Sequence, residues 1–483
     1  MMRLRARWMW PGPGGNVRSN VSVSVDSGRV SSVDHVSSAP EVFMMPSFVD
    51  AHCHFVQMGL KRACLDLSNT RSARQLLDEA AAVRSSGSGI LLGEGFDDST
   101  WDDPALPSLG DMDAAFPDRP VFLRRICGHM ALLNSRMMEI LPPGLEGVDE
   151  ARGVVREEPV LRFRELFPPS EEEIDKATRA AFGMCAASGV TAVGALETLS
   201  RAAGLGELVP DMSFACYVPY TDLDALKEDR PEWVKGVKFF LDGSIGAETA
   251  ATGCRYLTGA EPSLLWDSTE LEEALAEVYA AGLYPVMHAI GARAIEQAGR
   301  ASITAWERSG GTENRIARIE HAEELSAVPT EALDPSFHRL SMQPNFVLNW
   351  QARDRLYGAK LPWDAVEELN PFRSVLERGF RLAFGSDGMP FGPLAGLAGA
   401  TDHPNRAQRI SVPKALAAYT TDAAAMCGLG ELSTPIGLNR RADLVLLSAN
   451  PFDSSWSGVE VVATVSGGRI VYGEESLGRE VSV

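Results

Sequence analysis

Eight short apolar runs, each ending in small, polar or charged residues, recur along the 483 residues of this chain. They are 44–50, 189–196, 212–219, 236–242, 284–290, 315–322, 339–345 and 381–387. Such runs are typical of strands that are buried on both faces. Amphipathic segments lie between most of them, for example Thr269–Ala281, which Gly282 closes like a helix C-cap. Eight strands alternating with helices predict an α/β fold with a parallel (β/α)8 barrel.

The stretch between the first and second predicted strands is too long for a simple connection, so we expect an insertion at about 64–188. Loops at the top of a barrel carry specificity, which makes this insertion a candidate lid or substrate wall. Residues 16–36 and 442–474 are strand-like and rich in turns. We therefore expect 1–43 and 436–483 to form a small β-sandwich together, and 44–435 to form the barrel with its insertion.

Composition narrows the classes of partner. The net charge is −20 and the basic residues are dispersed, which argues against a nucleic-acid-binding face. The N-terminal apolar segment breaks at Pro11, and no run is long enough for a membrane span. Seven scattered cysteines without a CxxC pair indicate a reducing compartment, so the cytoplasm is expected. We expect a small-molecule substrate and no nucleic-acid or membrane partner, with a homodimer as one option for the assembly.

Six residues with metal-binding or proton-transfer chemistry fall at or near the ends of the predicted strands. His52 and His54 follow the first strand, Lys238 lies in the fourth, His288 and His321 close the fifth and sixth, and Asp387 ends the eighth. The i, i+2 spacing of the first two histidines places both side chains on one strand face. Strand carboxyl ends meet at the mouth of a barrel, so we expect all six side chains to be neighbours.

Each of these residues has another interpretation. A single barrel histidine can be a hydrogen-bonded core residue, Asp387 a helix N-cap, and Lys238 half of a buried ion pair. If all of these separate interpretations held, however, the six residues would lie at one barrel end for unrelated reasons. Burying that much polarity without a metal is costly. The pattern as a whole therefore predicts a metal site.

Longer motifs surround these residues. They are MPSFVDAHCHF (45–55), GFDDSTW (95–101), GHMALLNS (128–135), GVKFFLDGSIG (236–246), HAIG (288–291), RIEHAE (318–323), FGSDGMP (384–390), ALAAYTTDAAAMCG (415–428) and RADLVLLSANP (441–451). With them the chain resembles the amidohydrolase superfamily, in its YtcJ-like (amidohydrolase 3) branch, which is related to N-substituted formamide deformylases. The resemblance implies a distorted (β/α)8 TIM barrel with a small β-sandwich formed by both chain ends.

The resemblance also implies roles. His52 and His54 would bind one metal ion, His288 and His321 a second, and Lys238, if N6-carboxylated, would bridge the two. Asp387 would ligate the first ion and hold the nucleophilic water. Zn²⁺ suits this donor set best, with Mn²⁺ or Fe²⁺ as alternatives. One ion in place of two stays open.

The expected reaction is hydrolysis of a non-peptide C–N bond, of the amide or N-formyl type. A metal ion lowers the pKa of bound water towards about 7, and Asp387 would act as general base and then as general acid. His129 could bind the substrate or the developing oxyanion, or could merely tie the insertion to the barrel. Trp101 and Gln343 are weaker candidates for a pocket wall and a polar substrate contact, since such a tryptophan more often packs in a core.

Three departures from the family pattern affect the choice of substrate. The usual HAIGD ends in Ala292, the usual Ser-Arg of DGSxGSRTA is Ala247-Glu248, and the usual PGK is Asn439-Arg440-Arg441. The first two change charge near the substrate side. Two other functions remain as alternatives: a metal-dependent deaminase acting on a ring or amidine carbon, and a barrel-type binding protein. Lys238 favours the amide reaction over deamination.

Overall fold

Eight parallel strands form one sheet in the unit built from residues 1–56 and 181–483. They are β1 (Phe48–Cys53), β2 (Val190–Leu196), β3 (Ser213–Pro219), β4 (Val234–Phe240), β5 (Tyr284–Ala289), β6 (Ala317–His321), β7 (His338–Met342) and β8 (Arg381–Phe384). The sheet runs in chain order from β1 to β8. The computed structural model describes residues 1–82, 89–126, 128–311, 315–389, 391–453 and 455–474, without the Leu161 side chain.

Helices follow the strands, as the apolar periodicity predicts. In this unit they are Leu199–Ala202, Leu205–Leu208, Leu223–Glu228, Ser268–Ala280, Ala292–Arg308, Pro344–Trp350, Trp363–Glu367, Phe372–Glu377, Pro393–Thr401, Val412–Ala418 and Thr421–Met426. The side chain of Asp267 caps the helix Ser268–Ala280 by accepting from the backbone N–H groups of Thr269 and Glu270. The predicted distorted (β/α)8 barrel is confirmed.

The barrel closes at an irregular seam between β1 and β8, the two outermost strands of the sheet. The N–H of Asp387 donates to the carbonyl of His52 at 2.8 Å. A side chain on Gly385 would collide with the His52 backbone, so only glycine allows this approach. The buried carboxylate of Asp50 accepts from the N–H groups of His52 (3.1 Å) and Ser386 (3.0 Å). This seam fixes the strand ends that carry His52 and Asp387.

Both chain ends contribute to a separate seven-stranded sheet in the same unit. Its strand order is Arg469–Tyr472, Val461–Ser466, Leu444–Leu447, Phe43–Pro46, Met2–Met9, Arg18–Asp26 and Arg29–His35. The apolar side chains of alternating positions, such as Leu4, Val23 and Leu446, form its buried core. Strands from both chain ends therefore share one sheet, and the predicted domain bounds 1–43, 44–435 and 436–483 stay predictions.

The first predicted strand, 44–50, was wrong in its bounds. Phe43–Pro46 belongs to the seven-stranded sheet, and β1 begins only at Phe48. The apolar run is continuous in sequence, but the chain passes from one sheet to the next at Ser47, whose N–H donates to the backbone carbonyl of Asp443. As a consequence His52 lies inside β1 and His54 just beyond it, so the strand-face argument does not apply to this pair. Strands β4, β7 and β8 also end before the polar residues that the prediction included.

Residues 57–180 form a second compact unit. Its six-stranded sheet has the order Val148–Asp149, Val154–Arg156, Met130–Leu133, Val121–Arg125, Leu91–Phe96 and Leu65–Asp66. Its helices are Ala73–Ala82, Leu109–Ala115, Ser135–Ile140, Glu158–Leu161 and Phe163–Leu166, while Phe55–Ala63 leads into the unit and Glu171–Ala187 leads out of it. The expectations for Cys127 and for the final segment 475–483 lie outside the described residues.

Two further expectations concern membrane-spanning segments and the state of the cysteines. Among the described residues, none of the helices has the length and apolar character that crossing a membrane requires. The six described cysteines are free thiols: Cys53, Cys64, Cys185, Cys216, Cys254 and Cys427.

Candidate metal centre

Asp387 lies where two histidines meet beyond the carboxyl ends of the barrel strands. Its Oδ1 atom is 3.3 Å from Nε2 of His52 and 3.3 Å from Nε2 of His54. The ring centroid of His52 is 5.0 Å from that of His321, which in turn is 4.4 Å from that of His288. The structure therefore brings the four predicted histidines and the aspartate together in one cluster.

The backbone is strained where β6 and β8 deliver their side chains. His321 has φ +72°, Ala322 has φ +49° and Asp387 has φ +57°, all in the left-handed region that non-glycine residues rarely adopt. Such conformations cost about 1–3 kcal/mol each and persist where the surrounding structure holds them, typically at functional sites. The strain falls on two of the six residues that the sequence singled out.

His52 is oriented from behind by a buried ion pair. Its Nδ1 lies against Oε2 of Glu320, and Nε of Arg318 is 2.5 Å from Oε1 of the same carboxylate. All three side chains are buried. Burial opposes ionisation of Glu320, but Arg318 and His52 outweigh it and hold the pKa of Glu320 well below its usual range. The carboxylate therefore holds the Nδ1 proton of His52, and Nε2 is left to face Asp387.

Two more imidazoles are uncharged: His321 is buried and His288 is half-buried. Nε2 of His288 lies 2.9 Å from the carbonyl oxygen of Gly243, to which it donates. Burial lowers the pKa of His288 to about 3, and burial likewise lowers the pKa of His321. Nδ1 of His321 makes no hydrogen bond to any residue that the structure describes. Neutral imidazoles with an unused lone pair are the form that binds metal ions.

Lys238 in β4 completes the cluster. Its side chain is 5% exposed, and Nζ has no hydrogen-bond partner among the described residues. Nζ lies over the ring of Phe240, whose centroid is 5.0 Å away. Burial lowers the pKa of Lys238 to about 8, and its charge in turn lowers the pKa of His288 and His321. An unpaired buried ammonium is costly, so a further group at this position would relieve the cost.

The donor set fits a divalent transition metal. His52, His321 and Asp387 offer ligand atoms that all lie within 4.8 Å of one another. Mixed imidazole and carboxylate donors suit Zn²⁺ and neighbouring ions. The buried nitrogens that lack a hydrogen-bond partner, Nε2 of His52 and Nδ1 of His321, support the same conclusion.

The three predicted substrate contacts are placed differently. Gln343 follows β7 in the first unit; it is 1% exposed, and its Oε1 has no partner among the described residues. Trp101 is buried in the core of the second unit, where its indole N–H donates to the carbonyl of Thr70 at 3.0 Å. His129 is exposed in that unit, with Nδ1 3.0 Å from a Glu157 oxygen. Trp101 thus has the surroundings of a packing residue, and the substrate roles of all three stay predictions.

Two of the three departures from the family pattern, those at Ala292 and Glu248, have charged or polar partners nearby. The backbone N–H groups of Ala292 and Gly253 donate to the buried carboxylate of Glu324, at 2.7 and 2.8 Å. An acid is therefore present beside the position where the family carries one. Glu248 forms an ion pair of 2.7 Å with Lys360. Glu248, which stands where the family carries an arginine, thus has Lys360 as its ion-pair partner.

Several residues that organise the cluster were missed in the sequence. Asp50 fixes the β1–β8 seam, Glu320 and Arg318 orient His52, and Asp242 accepts from the N–H groups of Ile290 and Gly291. A signal was available for the pair on β6. Arginine and glutamate two positions apart in an otherwise apolar buried strand need partners, and a strand places both on one face.

The fold and the cluster define a class of protein, a (β/α)8 barrel that gathers imidazoles and a carboxylate at the carboxyl ends of its strands. The chain belongs to the amidohydrolase family, whose model matches residues 39–472. The predicted membership is confirmed. The chain is therefore classed with the metal-dependent hydrolases of this superfamily.

Two sequence relatives match over most of their length. YtcJ of Bacillus subtilis (strain 168) is 26% identical over 490 aligned positions, covering 89% of each chain. Protein LONG AFTER FAR-RED 3 of Arabidopsis thaliana is 27% identical, covering 89% of this chain and 82% of the relative.

Solved structures share the fold. An uncharacterized metal-dependent hydrolase from Pyrococcus furiosus superimposes with a TM-score of 0.76 at 24% identity, covering 93% of this chain and all (100%) of that one. A second such hydrolase, from Pyrococcus horikoshii, gives a TM-score of 0.75 at 22% identity, with 94% and 99% covered. At these identities the likeness concerns the fold.

Proposed function

We propose that the chain is a metal-dependent hydrolase that cleaves a non-peptide C–N bond of the amide or N-formyl type. The observation that carries this proposal is the approach of two imidazole nitrogens, from His52 and His54, to the same Asp387 oxygen at 3.3 Å each. In that arrangement the three side chains can bind one ion, and the carboxylate of Asp387 can accept a proton from water.

The residues divide into two ligand groups. His52, His54 and Asp387 would hold one divalent ion, and His288 and His321 would hold a second. Zn²⁺ is the ion we propose first, because imidazole and carboxylate donors suit it. When bound, such an ion polarises a carbonyl group and makes water more acidic.

Lys238 would join the two groups as an N6-carboxylated side chain. Carboxylation needs the neutral amine, because only the neutral nitrogen has a lone pair to attack CO₂. Burial lowers the pKa of Lys238 to about 8, so neutral amine is available near physiological pH. The product, a carbamate, replaces an unpaired buried cation with two oxygen donors.

Asp387 would move the proton. Burial favours its neutral form, yet the neighbouring His52 and His54 outweigh burial and hold the pKa of Asp387 well below its usual value. The ionised carboxylate can accept a proton from attacking water on one oxygen and return it to the departing nitrogen.

Gln343, with its unpartnered amide oxygen, is the group we propose to bind a substrate N–H. His129 and Trp101 remain the proposed contacts from the second unit.

The alternative, deamination, would use a glutamate in the region that follows His321. Glu324 already accepts from two backbone N–H groups, and Glu323 accepts from the Tyr357 hydroxyl at 3.1 Å and from the Asn370 amide at 3.2 Å. Both carboxylates thus have structural partners. Together with Lys238, this favours the amide reaction.

A metal analysis and a substrate screen test the proposal. Protein purified without chelator and supplemented with Zn²⁺, Mn²⁺ or Fe²⁺ should retain one to two equivalents of metal by mass spectrometry. Less than about half an equivalent would contradict the hydrolase assignment. N-formyl and N-acyl amines should release a carboxylic acid, and ring amines should release no ammonia. The opposite result would favour a deaminase; metal binding without any turnover would favour a binding protein.

We also propose a small-molecule substrate, a cytoplasmic location and, for the assembly, a homodimer. The net charge of −20 gives no support to a nucleic-acid partner. Gel filtration with light scattering tests the assembly.

A further inference from the structure

A cleft of about 740 Å³ lies at the amino-terminal ends of β7 and β8. Arg339 and Arg381, near the start of these strands, line it together with Arg373, Arg409 and Lys414 from the neighbouring segments. Gln343 and Asp387 follow the opposite ends of the same strands. Four residues of strand span about 13 Å, so the cleft is separate from the candidate metal centre.

The charge of this cleft is opposite to that of the chain. Five cationic side chains line it, with the carboxylates of Glu377 and Asp422, in a protein of net charge −20. Arg339 and Arg381 occupy directly paired positions of the β7–β8 register. Like charges on neighbouring strands destabilise a sheet unless something neutralises them.

Part of this positive charge is paired within the described residues. Arg373 pairs with Glu377 at 2.8 Å, and Nε of Arg409 donates to the carbonyl of His403 at 2.8 Å. The side chains of Arg339, Arg381 and Lys414 form neither a hydrogen bond nor an ion pair with any residue in the part of the chain that the structure describes. Arg381 and Lys414 act electrostatically on Asp422, opposing the rise in its pKa that burial causes. Burial and the neighbouring Arg381 both lower the pKa of Arg339.

The remaining lining is apolar, with Leu376, Phe380, Ile410 and Met426 among it. Clefts of about 300–1,000 Å³ that combine apolar walls with a few convergent polar groups are typical of small-molecule sites. Guanidinium groups bind phosphate and carboxylate in bidentate fashion. Two guanidinium groups side by side suit a ligand that bears two negative charges on a short carbon skeleton.

We propose that this cleft is a second ligand site, which binds a small organic dianion such as a phosphate monoester or a dicarboxylate. Arg339 and Arg381 bind its charged groups, and Lys414 adds to the attraction. Binding of this ligand does not depend on the proposed hydrolysis, so it can be tested whatever the substrate proves to be.

Thermal unfolding and calorimetric titration test the site on the full chain. Glycerol 3-phosphate and succinate are the two probes, because they separate a phosphate ester from a dicarboxylate; acetate and sodium chloride at equal ionic strength are the controls. We expect at least one probe to raise Tm beyond both controls and to bind the wild-type protein. No rise beyond the controls with either probe would overturn the proposal.

Paired variants locate the binding. In R339Q/R381Q the dissociation constant of the bound probe should rise at least tenfold. In R3Q/R18Q, which removes two exposed arginines from the seven-stranded sheet, it should stay the same. Unchanged affinity in the first variant, or an equal loss in both, would overturn the proposal.

Discussion

The carboxylate of Glu320 on β6 accepts a hydrogen bond from the Nδ1 atom of His52 on β1, across the barrel interior. The contact links residues 268 positions apart, and the Arg318 guanidinium holds the same carboxylate from the other side. Hydrogen bonds of this kind fix the tautomer and the ring orientation of a ligating histidine. Glu320 is therefore a positioning residue for His52.

Removing the charge of Glu320 should weaken metal binding. In Glu320→Gln we expect a loss of about 10–100-fold in metal affinity, the usual effect of changing a group that supports a ligand. Arg318 would be left as an uncompensated buried charge, which costs about 3–5 kcal/mol of unfolding free energy. Competition with a chelator measures the affinity, and urea unfolding measures the stability.

The double variant R318M/E320M separates the two effects. Replacing both members of a buried ion pair with apolar residues is often neutral for stability, so its unfolding free energy should return towards that of the wild type. Metal affinity should stay reduced, because His52 still lacks its acceptor. If metal affinity recovered together with stability, the orienting role of Glu320 would be ruled out.

Lys238 should make the stability of the metal-free protein depend on pH. Its pKa is lowered to about 8 from 10.5 because burial disfavours the ammonium, so the folded chain binds fewer protons than the unfolded chain between these values. The unfolding free energy should therefore rise as pH increases from 8 to 10.5. Lys238→Met should be more stable than the wild type below pH 8 by about 3 kcal/mol, an advantage that disappears above pH 10.5.

Chemical denaturation of metal-free protein over this pH range gives the measurement. Lys235→Met, on the same strand β4, is the matched control, since Nζ of Lys235 donates to the Glu232 carbonyl near the surface. A constant difference between Lys238→Met and the wild type at every pH would show that the amine is not buried as an ammonium.

The barrel was predictable because its strands are buried on both faces and its helices are amphipathic. Apolar runs such as 284–290 stand out from the helical pattern around them, and their ends place His288 without any contact information. The same approach gave the wrong strand bounds for residues 44–53. There the chain changes sheets within one apolar run, and only the pairing of Phe43–Pro46 with Leu444–Leu447 reveals the change.

The ligand-type side chains were easier to predict than the groups that position them. Histidine at a strand end carries a chemical expectation of its own, whereas Asp50 and Glu320 matter only through what they contact across the barrel. Long-range contacts of this kind have no local pattern in the sequence. For the same reason the ion pair between Glu248 and Lys360, 112 positions apart, could not be inferred from either residue.

Asp387→Asn should abolish turnover while preserving the fold. The amide cannot accept the proton from water, and loss of a general base typically costs about 10²–10⁴-fold in rate. The measurement is kcat with the best substrate of the screen, alongside metal content and Tm. Asp26→Asn in the seven-stranded sheet is the control. Unchanged kcat at full metal content would remove Asp387 from the mechanism.

Gln343 should contribute to substrate binding and not to stability. Its Oε1 is buried without a partner among the described residues, so Gln343→Leu removes a desolvated acceptor and should leave Tm equal or higher. If the amide oxygen binds a substrate N–H, kcat/KM should fall by about tenfold, the effect of one hydrogen bond of about 1.4 kcal/mol. A lower Tm with unchanged kcat/KM would assign Gln343 to the fold alone.

The ion pair between Glu248 and Lys360 predicts how the chain responds when the family's arginine is restored. Glu248→Arg places two cations together in place of a contact of 2.7 Å, so Tm should fall. The double variant E248R/K360E restores opposite charges in reversed order, and Tm should recover most of the loss. Thermal unfolding at low and high salt gives the measurement, and the difference between the two variants should shrink at high salt because screening weakens the repulsion. If the single and double variants had the same Tm, the pairing would have no energetic role, and Glu248 would be free to act on the substrate.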